Sequence, residues 1–253
     1  MLVMWSLNGS IAELSGGLLH ARVDLRYPQR GLVGVRLSND SPQAHSLPIH
    51  HMLQVHLAGY QRGNCTILDS FVRGPDLIVS YAASAIDDVQ SQVYWRALSI
   101  HEHEAEGAEL IVSVQTESLD SRPASSVASE LLAQEVWTLA ENGEFERRDQ
   151  GAMAPPGNAF SSPHGVTLFR LRGLPFSYTE MIHPSDLGQS TISAGDGASG
   201  SFESRYPLFC EPLEKGVIRR SRVRGLFLPR HDDTLAALAL YRQFAESEPP
   251  LTV

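Results

Sequence analysis

Cysteine is scarce: Cys65 and Cys210 are the only two in a chain of 253 residues, far apart and without C-x-x-C spacing. That excludes a disulfide framework and a cysteine-built zinc site, and leaves each thiol as a small buried hydrophobe. Long apolar runs are missing too. None approaches the ~20 residues that span a bilayer as a helix. The first twenty residues carry Glu13 but no Lys or Arg, unlike a secretory leader. A soluble, cytoplasmic protein with no membrane partner is the expectation. Positive charge is in short supply: the formal net charge is −9, which repels a phosphate backbone and argues against nucleic acid as a partner. The sequence also lacks G-x-S-x-G, G-x-x-x-x-G-K-[ST], G-x-G-x-x-G after a strand and H-E-x-x-H. Serine-hydrolase, triphosphatase, dinucleotide and zincin readings lose their usual support, and no cofactor is implied.

What is present is alternation. Hydrophobic residues make up 42% of the chain and charged residues 19%, enough for an ordered core. In LLHARVDLR (18–26), Leu19, Ala21, Val23 and Leu25 share one side, and His20, Arg22, Asp24 and Arg26 the other. That is a strand with one wet face. HMLQVHLA repeats it, and LIVSY, QVYWRALSI, ELIVSVQT, GVTLFRLR and LPFSYTEMI follow, separated by short turn signals. QVYWRALSI-HEHEAEG-AELIVSVQT reads as an antiparallel hairpin. Strands recur without alternating helices, so the expected fold is all-β: a large antiparallel β-sandwich with one C-terminal helix, a single domain over residues 1–253. Nothing forces a boundary near 125–150.

The helix is HDDTLAALALYRQFAES (231–247), where Ala237, Leu240, Tyr241 and Phe244 follow i, i+3, i+4, i+7. Asp232 or Asp233 can cap it, and Glu-Pro-Pro at 248–250 stops it. Its apolar stripe is expected to dock on the sandwich. Residues 119–126, 150–165 and 186–201 read as long loops.

The densest polar cluster is YTEMIHPSD. On a strand, Phe176, Tyr178, Glu180 and Ile182 share one face, and Ser177, Thr179, Met181 and His183 the other. Desolvation on an apolar face would raise the pKa of Glu180, which suits a general acid or base. His183 stands at the strand end, where Asp186 can orient its imidazole. The plainer alternative pairs Glu180 with an arginine across the sheet and makes Ser185 and Asp186 a turn. Ten histidines include His45, His50, His51, His56 and the HEHE run with His101 and His103. Two imidazoles on one strand face can ligate a metal, but no third ligand follows at a fitting spacing, so no metal is assigned and a solvated turn is favoured. IRRSRVR (218–224) places Arg220, Arg222 and Arg224 on one side with Ile218. The row suits an anion, or cross-strand ion pairs with Glu211, Glu214 and the Asp232–Asp233 pair, and the ladder is preferred. Trp95 with Arg96, and Arg73 after Phe71, offer stacking and donors for a sugar, though Trp95 fits the core equally well.

LSGGLLHARVDLRYPQRGLVGVRLSND, the long antiparallel succession and a Glu/His pair on a late strand resemble the galactose-mutarotase-like β-sandwich superfamily. The resemblance implies a large twisted sandwich whose concave face accepts carbohydrate. It also implies a glutamate base toward the anomeric hydroxyl and a histidine acid toward the ring oxygen. Glu180 matches the first by residue type, and His50, His51 or His183 the second. The expectation is a carbohydrate-directed protein whose partner is a small sugar or sugar derivative, epimerase-like or binding only. Glu180 and His183 would be catalytic, with Arg96, Trp95, Asp186 and Arg73 around the substrate. The rival is a non-enzymatic structural or interaction module, and a homo-oligomer fits either.

Overall fold

The computed structural model of the protein describes residues 4–37, 45–46, 49–60, 63–84, 88–148, 159–194 and 200–248. A first antiparallel sheet runs in chain order through β1 (Met4–Asn8), β2 (Ile11–Ser15), β3 (Leu19–Asp24), β4 (Val33–Leu37) and β5 (His45–Ser46). Next come β6 (Ile49–His56), β7 (Ile67–Arg73), β8 (Asp76–Tyr81), β9 (Val89–Ile100), β10 (Ala105–Thr116), β11 (Asp120–Ser121), β12 (Ser125–Leu139) and β13 (Phe145–Arg148). The chain continues through β14 (Ala159–Ser161), β15 (Val166–Leu171), β16 (Phe176–Ile182), β17 (Thr191–Ala194), β18 (Ser201–Leu208), β19 (Leu213–Glu214), β20 (Ile218–Pro229) and α1 (Asp233–Ala245). β11 pairs with β19. The other strands from β6 onward form one 13-stranded sheet in the order β14-β17-β18-β12-β15-β16-β20-β10-β9-β8-β7, with β6 and β13 also on β12.

β12 is the strand that joins the layers. Its first part pairs with β6 and β18; after a register shift between Ala133 and Glu135 its second part pairs with β13 and β15. Apolar side chains of the first sheet (Leu14, Val23), of the β6–β12–β18 region (Val55, Leu131, Phe202) and of the remaining strands (Val93, Leu110, Phe227) merge into one core. The alternation makes this possible: Leu19, Ala21, Val23 and Leu25 are all buried, as are Leu53, Val55 and Leu57. Hydrogen bonds also tie the first sheet to the large one. Leu19 N–H donates to Glu106 Oε2 at 3.0 Å, and the Tyr81 hydroxyl donates to the Leu25 carbonyl at 2.9 Å.

The hairpin is there: β9 and β10 pair antiparallel from Ile100–Ala105 to Val89–Thr116. Its tip departs from expectation, because His101–His103 is a 3-10 turn closed by Glu104 in the left-handed region (φ 47°). The two imidazoles therefore do not share a strand face. All three expected loops contain strands: β11 lies within 119–126, β14 within 150–165 and β17 within 186–201. Of the two thiols only Cys65 is buried, which pushes its pKa up to about 12; Cys210 is exposed.

Helix α1 packs on the face of the sheet that points away from the sandwich core. Ala237, Leu240 and Phe244 are fully buried against Val166, Met181, Leu226 and Leu228, and the docking contributes on the order of 2 kcal/mol per large apolar side chain. Asp232 precedes the helix at φ 54° without a side-chain capping bond. Asp233 faces the sheet, where its carboxylate takes two bonds of 2.9 Å from Arg170 and one of 2.7 Å from Ser177. Pro249 and Pro250 lie outside the described residues. Among the described residues no helix is long and apolar enough to cross a membrane.

Candidate functional site

All seven residues of β16 are buried, and its two faces serve different neighbours. Phe176, Tyr178 and Ile182 enter the sandwich core, while Met181 joins the cluster under α1. Glu180 stands on the core side at 0% exposure. Its Oε1 accepts from Ser129 Oγ and from the Tyr178 hydroxyl at 2.6 Å, and its Oε2 accepts from Ser204 Oγ. Gly225 lies beside Glu180 in register and makes room for this set; a Cβ there would stand 2.3 Å from the Tyr178 hydroxyl oxygen. Ser129 Oγ also accepts Leu53 N–H at 2.8 Å, where Leu53 holds a φ of 53°. Burial pushes the Glu180 carboxyl above its ordinary pKa, with Ser129, Ser204 and Tyr178 opposing. Among the described residues no arginine pairs with it. Its bonds are satisfied by the core, out of reach of a surface ligand.

His183 emerges on the other side. Its Nδ1 accepts Ser185 N–H at 3.2 Å, so Nε2 carries the proton and faces the Ala245 carbonyl at 3.2 Å. The ring meets Phe244 edge-on at 5.4 Å. Burial, then the positive charge of Arg222, lowers its pKa. Asp186 does not touch the imidazole: it accepts from Ser185 Oγ at 3.0 Å and from Arg222 N–H at 2.8 Å. The expected base and acid thus face opposite sides of the sheet, because His183, just past the end of β16, follows Glu180 by three positions, an odd step.

The same parity divides Trp95 from Arg96. Trp95 is fully buried in the core. Arg96 lies on the outer face, bonded to Asp76 at 2.7 and 3.0 Å. Asp76, Arg96, Glu109 and Arg224 are in lateral register across β8, β9, β10 and β20. Arg224 bonds Glu109 at 2.6 and 2.9 Å and lies 4.3 Å over the Phe244 ring. Of the three arginines expected to form an ion-pair ladder, Arg224 does so with Glu109, distant in sequence, in place of Glu214 or the Asp232–Asp233 pair, while Arg222 donates to the Ser247 and Glu248 carbonyls; Arg219 takes the anticipated Glu211, at 2.7 Å. Arg73 is exposed at the end of β7, across from Asp76.

Farther along the same outer face the chemistry changes. Ser80, Gln92, Ser113 and Arg220 form a lateral row, and Gln90, Gln115 and Ile218 the next accessible one. Gln92 Nε2 donates to Ser80 Oγ at 3.0 Å, and Gln115 Nε2 to Gln90 Oε1 at 2.6 Å. These side chains floor a trough of about 180 Å³ flanked by Leu68 and Ile218, two exposed apolar residues. Ser113 is only 7% exposed, and its Oγ has no hydrogen-bond partner among the described residues. A second depression of about 490 Å³ shares Ile218 and Arg220 with the trough and is lined further by Asp186, Cys210, Glu211 and Arg219.

Of the residues anticipated around a substrate, only Asp186 borders this system. Arg96 lies four residues from Gln92 along β9, roughly 14 Å at about 3.4 Å per residue, and Arg73 lies five from Leu68, roughly 17 Å. Sequence reasoning named Arg220 within its arginine run but passed over Ser80, Gln90, Gln92, Ser113 and Gln115. Their signal was the polar half of an alternating strand, which most wet sheet faces share. Three histidines, His101, His103 and His231, border one depression with Asp232, whereas His51 lies apart with its Nδ1 3.0 Å from the Arg30 carbonyl. Among the described residues no three metal-ligating side chains are placed to hold an ion. The side chains of His45 and His50 lie outside the described residues.

No family model and no curated protein sequence matches the chain. Solved structures do. A TPR-domain containing protein from Parabacteroides distasonis superposes with a TM-score of 0.56 at 7% identity, over 86% of this chain and 47% of that one. A putative aldose 1-epimerase from Klebsiella pneumoniae gives a TM-score of 0.55 at 8% identity, over 95% of this chain and 86% of the other. The GalM/aldose epimerase homologue from C. elegans gives 0.51 at 7% identity, over 90% and 99%. This chain spans about half the first of these and most of the other two. The two layers, the strand-rich chain and these superpositions together give it a galactose-mutarotase-like fold.

Proposed function

We propose that the protein binds carbohydrate in the trough on the outer face of β8, β9, β10 and β20, as a binding protein that does not use Glu180 and His183 for catalysis. The observation that carries this reading is the buried, unpartnered Ser113 Oγ on a floor of hydroxyl and amide groups. Ser and Gln side chains both donate and accept, which is what an array of sugar hydroxyls needs. Leu68 and Ile218 offer apolar walls to the C–H faces of a ring, and a concave surface mixing apolar walls with a few placed polar groups is the usual character of a small-ligand site. That two of the superposed structures are a putative aldose 1-epimerase and an aldose epimerase homologue supports a sugar over other polar ligands. Glu180 lies sealed in the core and His183 holds the end of α1, so the pair lacks the shared access that proton transfer at one sugar requires.

The test is calorimetric or NMR titration of the full chain with a panel of hexoses, pentoses, uronates and sugar phosphates. Gln92→Ala should weaken binding of any active sugar about tenfold, the equivalent of one hydrogen bond of about 1.4 kcal/mol. Silence across the whole panel, or undiminished affinity in a folded Gln92→Ala protein, would overturn the reading.

A further inference from the structure

Resting on that reading, we infer that the trough selects an acidic sugar, a pyranose bearing a carboxylate, phosphate or sulfate, with the anionic group seated on Arg220. Among the eleven residues that line the trough, Arg220 is the one with a charged side chain; the rest are Ser, Gln, Tyr, Val, Leu and Ile. A neutral hexose would need no cation there. In a chain of net charge −9, a groove with a single positive and no negative lining group is locally set against the charge of the whole.

The geometry fits a ring with one charged substituent. Arg220 ends the row Ser80–Gln92–Ser113–Arg220 and is paired in register with Ser113. Neighbouring strands lie about 4.8 Å apart, so ring hydroxyls over Gln92 and Ser113 leave an exocyclic acid within reach of the guanidinium. Carboxylate, phosphate and sulfate all accept the planar fork of N–H donors, and such charge-assisted bonds are stronger than neutral ones. Arg220 also contacts another group of the protein. The inference requires only that some of its five donors face the trough. The carboxylates nearby, Asp186 and Glu211, line the second depression and not the trough. Asp186 accepts from Ser185 and Arg222, and Glu211 bonds Arg219. The other arginines of the run act elsewhere: Arg222 binds the Ser247 and Glu248 carbonyls, and Arg224 binds Glu109.

The experiment titrates the full chain with matched pairs: galactose against galacturonate, glucose against glucuronate, and glucose against glucose 6-phosphate, with inorganic phosphate alongside. At least one acidic member should bind ten times or more tighter than its neutral partner. The uronate and phosphate arms then show which acid is preferred. Arg220→Gln should bring the acid-to-neutral affinity ratio close to one, and Arg220→Lys, which keeps the charge but not the fork, should restore part of it. If neutral sugars bind and their acids bind no tighter, the inference is overturned while the carbohydrate reading stands. If no sugar binds at all, that reading fails and takes the inference with it. Inorganic phosphate binding as tightly as every sugar acid, with Gln92→Ala without effect, would reduce Arg220 to a plain anion contact and also overturn the inference.

Discussion

Glu180 shows how much a single carboxyl can be changed by its surroundings. Enclosed by Ser129, Tyr178 and Ser204, it is raised above its ordinary pKa by burial, so the folded protein holds this proton more tightly than the unfolded chain does. The sign follows: its contribution is fully present below the unfolded pKa of about 4.3 and is lost as pH rises through the higher folded value. Glu180→Gln should therefore flatten the fall in stability between mildly acidic and mildly alkaline pH, since an amide keeps one acceptor oxygen for Ser129 and Tyr178 and offers N–H to Ser204. Urea unfolding at pH 5 and pH 8 reads this, and an unchanged pH slope would contradict it. Glu180→Ala removes the acceptor of all three hydroxyls and should destabilise by roughly 2–4 kcal/mol. The sequence told which face Glu180 takes and that burial would raise its pKa. Its partners were not legible, because Ser129 and Ser204 lie 51 and 24 residues away and no local pattern announces a buried hydroxyl.

At the scale of the element, α1 is held at both ends by polar groups. Asp233 anchors its start: burial alone would raise that carboxyl, but the bonds from Arg170 and Ser177 outweigh it and hold the pKa below the ordinary value. His183 meets its end as a neutral ring with a lowered pKa. Both shifts act in the same direction. On acidification the unfolded chain takes up each proton first, so stability drops from about pH 6.5 downward for His183 and again below about pH 4 for Asp233. Hydrogen exchange along 233–245, corrected for the intrinsic pH dependence of amide exchange, should lose protection at mildly acidic pH before exchange in β10 and β20 does, and uniform loss in helix and strands would contradict this. Arg170→Ala should quicken it at neutral pH. Phe244→Ala should cost the fold about 3–5 kcal/mol. The spacing of Ala237, Leu240 and Phe244 marked the helix in the sequence. Its docking place, on the outer face beside the ion-pair ladder, depended on lateral strand order, which period-two patterns do not encode.

For the whole molecule, the shared core predicts that the layers unfold together. Trp5 sits in the first sheet, while Trp95 and Trp137 belong to the 13-stranded one. Fluorescence from variants keeping one tryptophan each should trace the same denaturation curve as far-ultraviolet circular dichroism, and a separate early transition from Trp5 would divide the chain into two units. An antiparallel sandwich could be read from alternation, and its one helix from the break in that alternation. The trough could not: its floor is assembled from β8, β9, β10 and β20, and ordinary serines and glutamines acquire meaning only when strands distant in the chain are laid side by side.

The double membership of β12 bears on where this polypeptide tolerates a break. A nick within Ser125–Leu132 would divide the partner of β18, and one within Ala133–Thr138 the partner of β15, so protease sites or split-reporter junctions inserted there should weaken reassembly. The connection between β10 and β12 interrupts no long ladder and is the more promising place to cut.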